Sequence, residues 1–89
     1  MSCRLNNLSV LAYANGFTLW HYTTADSPAA LTAAGYFDPA QDMLRQGDMI
    51  LAHVNTAADR PGAEILLVDG SALGAVSVAL MTHVPGVLP

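Results

Sequence analysis

The sequence predicts an α+β fold that is predominantly β, a small barrel or rolled antiparallel sheet with one short inserted helix. Three observations carry that expectation. Short runs of aromatic, aliphatic and β-branched residues recur between turn-forming clusters. One segment, Ser27 to Gly35, carries helix start and stop signals. A chain of 89 residues has room for a single core.

Residues 1–16 read as an N-terminal arm or short strand, with Asn6-Asn7 before an apolar stretch and Asn15-Gly16 as its turn. The main domain spans 17–84. It starts with Phe17 to Tyr22 (FTLWHY), whose alternation sets Phe17, Leu19 and His21 on one face and Thr18, Trp20 and Tyr22 on the other. In the helix, Ser27 caps and Pro28 takes the first position, where its missing N–H costs nothing. Ala29 to Ala34 propagate it for about two turns, and Gly35 stops it. Asp38 and Gln41 repeat the capping device for one further turn ending near Leu44.

A turn at Arg45-Gln46-Gly47-Asp48 leads into the strand Met49 to Asn55. The polar loop 56–62 follows. Ala63 to Asp69 is apolar throughout its middle, the pattern of a strand covered on both faces. Gly70 to Gly74 turns the chain, and Ala75 to Met81 returns as the second arm of a hairpin, with Val76, Val78 and Leu80 on one face. Residues 85–89 read as a C-terminal tail.

Composition narrows the function. Hydrophobic residues make up 53% of the chain and charged residues 11%, with no lysine, against about 25% charged in an average soluble domain. So few charges on so small a body imply either a poorly soluble monomer or apolar surface covered by copies of the chain or by a partner, and the second is favoured. A single cysteine, Cys3, excludes an intrachain disulfide, so oligomerisation is the expected reinforcement. A net charge of −4 and three scattered arginines give no basic stripe for nucleic acid. The seven-residue apolar run Leu8 to Ala14 is at the short limit for a signal peptide. The run from Ala72 to Leu88 is too interrupted for a membrane span.

No catalytic pattern emerges. His21, His53 and His83 lack i,i+2 or i,i+4 spacing, so a metal site needs them to converge in space with an Asp. His21 and His53 could lie on neighbouring strands. His21, Asp26 and Ser27 are too close along the chain for a relay with an oxyanion hole. Cys3 has only Arg4 as a basic neighbour and reads as an inert thiol. Asp38, Asp42 and Asp48 lack EF-hand spacing. No enzyme activity, cofactor or metal is expected. The aromatics Trp20, Tyr22, Tyr36 and Phe37 form a cluster if the helix folds back on its strand. Phe37 reads as core, whereas Trp20 and Tyr22 suit core and interface equally. Trp20, Tyr22, Tyr36, Val76 and Val78 are the candidate interface residues.

The order FTLWHYTT, Ala-Asp-Ser, ALTAAGYFD and LRQGDMILAHV resembles a module of tailed-bacteriophage proteins, found in short head-decoration (cement) proteins and at fibre tips. The resemblance covers about half the chain, and AGYF followed by GD-hydrophobic-I is its most distinctive part. It implies a virion component without catalytic residues. The matching positions Thr24, Asp26, Ala34, Gly35, Tyr36, Phe37, Gly47, Asp48 and Ile50 would specify the fold. The expected role is capsid decoration by a homotrimer bound to the major capsid protein on the outer head surface, after synthesis in the host cytoplasm. A fibre or spike tip that binds a host receptor or glycan is the alternative. Neither role involves nucleic acid or membrane.

Overall fold

The computed structural model describes residues 2–81; the expected tail 85–89, His83 and the last residues of the domain lie outside them. The predominantly β expectation is met by five strands, β1 (Leu8–Ala14), β2 (Phe17–Thr23), β3 (Met49–Val54), β4 (Gly62–Ala72) and β5 (Ala75–Leu80), in one open sheet of order β1-β2-β3-β4-β5. A one-turn helix, α1 (Pro28–Leu31), and 3-10 turns at Leu5–Asn7 and Asp38–Ala40 complete it.

The sheet is mixed, where the sequence suggested a rolled antiparallel one. β1–β2, β3–β4 and β4–β5 are antiparallel, but β2 and β3 run parallel, Leu19 opposite Met49 through Thr23 opposite His53. Parallel neighbours need a crossover of a dozen or more residues, and residues 24–48 supply it. Their buried side chains Leu31, Tyr36, Phe37, Ala40 and Leu44 join one core with Trp20, Tyr22, Ile50, Ala52, Val54, Leu66 and Val68. The registers set Trp20, Ile50 and Leu66 side by side, so all the sheet residues in that core share one face. The crossover therefore covers that face alone.

The arm forms a two-residue hairpin with β2, with Asn15 at φ 54° and Gly16 at φ 84°, the turn that matches strand twist. α1 starts as expected, the Ser27 side chain accepting from Ala30 N–H with Pro28 in the first turn. It is shorter than expected, the chain passing into turns before Gly35 at φ 88°. Asp38 does not cap; it lies inside its 3-10 turn and accepts Val76 N–H at 2.9 Å, tying the crossover to β5. Gly70 is not a turn residue. It sits beside a bulge in β4, where a Cβ would come within 2.8 Å of Ser77 Oγ, and the turn falls instead at Leu73-Gly74.

The module positions resolve into two hydrogen-bonded assemblies. In the first, Asp48, 2% exposed, accepts Thr18 N–H (3.0 Å), Trp20 Nε1–H (3.0 Å) and Arg45 N–H (3.1 Å). On either side, Gly47 N–H donates to Val68 O and Val68 N–H to Asp48 O, both at 2.8 Å. The Gly-Asp pair thus fastens the end of the crossover to β2 and β4 at once. In the second, Arg4 N–H donates to Tyr22 Oη (3.1 Å), the Tyr22 hydroxyl meets that of Tyr36 (2.9 Å), and Tyr36 donates to Asp26 Oδ2 (2.7 Å). Thr24 Oγ1 accepts Asp26 N–H at 3.0 Å. The rings of Tyr22, Tyr36 and Phe37 meet edge to face, with centroids 5.0 to 6.2 Å apart, a favoured aromatic geometry.

Candidate functional site

Because the crossover covers one face, no described element covers the other face of the sheet. Register and alternation place nine residues of the three central strands on it in a three-by-three grid. The rows are Leu19, Met49 and Leu67; His21, Leu51 and Ile65; and Thr23, His53 and Ala63. None is an acid, a lysine or an arginine. Ser9 and Ala12 of β1 continue the rows beside His21 and Leu19, and Ala79 of β5 beside Leu67. Ile65 is 43% exposed, His53 and Ala63 are exposed, and the remaining grid residues are half-buried. The expectation that Ala63 to Asp69 is covered on both faces is therefore not met. Leu66 and Val68 are buried, while Ile65 and Leu67 look outward.

The candidate interface residues lie elsewhere. Trp20 (6% exposed), Tyr22 (0%), Tyr36 (2%) and Val76 (5%) are in the core, and Val78 packs part-buried against it. The physical reason is parity. A strand in a two-layer fold gives one face to the core, and the indole and phenol groups took it because Asp48 and Asp26 satisfy their polar ends there. The same strand's outward residues, Leu19 and His21, are on the open face. A direct sign was present in the sequence: β4 is apolar on both sides, and one short helix cannot cover both.

The two strand histidines do meet. His21 Nε2 lies 2.9 Å from His53 Nδ1, with ring centroids 5.1 Å apart and planes tilted by 57°, so one ring donates an N–H to the other. Beside them an open cavity of about 350 Å³ has Leu51, Ile65 and Glu64 among its walls. No Asp joins the pair, and among the described residues no group of three or more His, Cys, Asp or Glu converges.

The other sequence candidates are not brought together. Ser27 Oγ and Asp26 Oδ2 are engaged with Ala30 and Tyr36, while His21 is with His53 on the open face. Asp38 is bound to β5 and Asp48 to β2 and the turn before it. Cys3 is buried, and desolvation pushes its thiol up from the ordinary range despite a hydrogen bond with Tyr22, the opposite of an activated nucleophile. Burial likewise raises the Tyr36 phenol. Every fully buried side-chain nitrogen or oxygen among the described residues has a partner. No helix among them is long and apolar enough to cross a membrane.

The five-strand face extends over about 24 by 20 Å from strand spacing and rise, about 480 Å² in projection. A specific interface takes about 800 Å² from each partner. The face supplies more than half of that. Exposed Val10 and Tyr13 stand opposite Trp20 and Thr18 and belong to the other face. A scan against protein-family models, a search of curated proteins and a search of solved structures each found no match.

Proposed function

We propose that this chain is a non-enzymatic structural protein that works by self-association through the open face of its sheet. The observation behind the proposal is the uncharged three-by-three grid, an apolar surface on a chain that already has a complete core. A second copy is the occupant best matched to it. The grid carries no fixed charge to select an ionic partner, and an apolar surface buried against its own kind leaves no ionised grid residue unpaired. Aligned packing of two such sheets, about 10 Å apart, is an ordinary arrangement.

In its specific form the proposal is a capsid decoration protein. Copies associated through the face sit on the outer surface of a phage-like head, where they bridge subunits of the major capsid protein and add buried apolar area to the shell. Support comes from the Thr-x-Asp, AGYF and Gly-Asp positions, which resemble the phage module and act here as the ties that hold the crossover down. The fibre-tip alternative has one observation in its favour, the exposed loop containing Asp59 and Arg60, which could present polar groups to a glycan. Purified particles provide the test. Imaging should locate the chain on the head exterior, and the isolated protein should bind heads and leave host cells alone. Particles without the chain, or adsorption of the protein to cells, would overturn the capsid assignment.

A further inference from the structure

We infer that His21 and His53 form a two-imidazole binding site for a divalent late-transition-metal ion, of the Cu²⁺ or Ni²⁺ type, on the open face. The inference rests on these two side chains and not on the assembly proposal.

Three observations carry it. First, the facing nitrogens are 2.9 Å apart. An ion about 2.05 Å from each, a typical metal–imidazole length, would subtend an N–metal–N angle of about 90°. That is the cis angle of a square-planar or tetragonal site, whereas tetrahedral coordination would need the nitrogens about 3.3 Å apart. Second, the strands hold the pair in place. His21 and His53 stand on adjacent parallel strands whose pairing runs unbroken from Leu19 opposite Met49 to Thr23 opposite His53. Both Cα positions are thus fixed, and only ring rotations are needed to aim the two lone pairs at one ion. Third, no fixed cation competes for the pair, since no arginine lines the adjacent cavity.

The proton balance is simple. With both rings neutral, one nitrogen of the facing pair carries hydrogen and the other a lone pair. Binding requires the donor ring to move that proton to its other nitrogen, which leaves two lone pairs facing the ion and releases no net proton. Protonation of either ring removes a ligand, so affinity must fall in acid. Water completes the remaining positions, which makes this an exchangeable site and not a closed structural one.

The test is titration of chelator-free full-length protein with Cu²⁺ and with Ni²⁺ alone, followed by calorimetry and, for Cu²⁺, by electron paramagnetic resonance. One ion per chain is expected, with nitrogen hyperfine structure in the copper spectrum. His21→Ala and His53→Ala should each weaken binding at least about tenfold, the lower end of what even an outer-shell loss costs. His83→Ala should leave it unchanged. Neither strand histidine belongs to the core, so these variants should melt like the parent, and a melting curve verifies that. Unchanged affinity in His21→Ala or His53→Ala, or loss in His83→Ala instead, would overturn the inference.

Discussion

Replacing Asp48 by alanine removes the acceptor on which three N–H groups from separate segments converge. The Trp20 indole N–H would remain in a buried site with no partner, at about 1–3 kcal/mol. The two part-buried backbone donors, Thr18 and Arg45, recover some solvation and add about 1–2 kcal/mol together. The total is about 2–5 kcal/mol, against about 5–13 kcal/mol for a domain of this length. At about 4–8 °C per kcal/mol, the melting temperature should fall by about 8–40 °C. Trp20 is the only tryptophan, so its fluorescence reports the site directly, and urea titration followed at that wavelength gives the free energy. Asp48→Asn keeps one carbonyl acceptor but turns an amide N–H₂ toward donors, and should fall between parent and alanine variant. A loss below about 1 kcal/mol for Asp48→Ala would refute the view that the Gly-Asp motif is the tie between crossover and sheet.

Tyr36→Phe removes the hydroxyl between Tyr22 and Asp26 and should cost about 1–3 kcal/mol in a thermal or urea melt. The parent protein should lose stability with rising pH above about 10, where the unfolded chain gives up the Tyr36 proton that the folded chain, with its raised phenol, retains. The limiting slope for that one proton is about 1.4 kcal/mol per pH unit, and Tyr36→Phe should flatten the curve; an identical alkaline slope in the variant would contradict the burial argument. The Cys3 thiol should react with a disulfide reagent only at the rate of unfolding, because it is buried and its ionisation is suppressed; rapid labelling of the native protein would be the contrary result. Gly70→Ala should destabilise by about 1 kcal/mol by displacing Ser77 Oγ, which donates to Asp69 at 2.6 Å. Its cost should shrink in a Ser77→Ala background, and equal costs in both backgrounds would refute the close-approach reading.

Much of this fold can be read along the chain. Period-two alternation marks Phe17 to Tyr22 and Ala75 to Leu80, and Ser27-Pro28 marks the helix start, because these signals act over a few residues. Strand direction was not legible at that range. The 25 residues from Thr24 to Asp48 are long enough for a parallel crossover, a clue that the hairpin-like strand lengths obscured. Trp20 and Tyr22 were ambiguous because alternation separates two faces without saying which one is inward. Asp48 and Asp26 decided it, by offering partners to the indole and, through Tyr36, to the phenol of Tyr22, and those contacts join residues 28 and 14 positions apart. The pairing of His21 with His53, 32 positions apart, likewise depends on the parallel register.

The central claim is that the open sheet face joins copies of this chain, and the molar mass in solution tests it most directly. Light scattering on the parent protein and on Ile65→Asp, which sets a charge at the edge of the grid on a side chain 43% exposed, should give an oligomer for the first. The second should be a monomer that keeps the parent's circular-dichroism spectrum. A monomeric parent, or an Ile65→Asp variant that stays fully associated, would contradict the account.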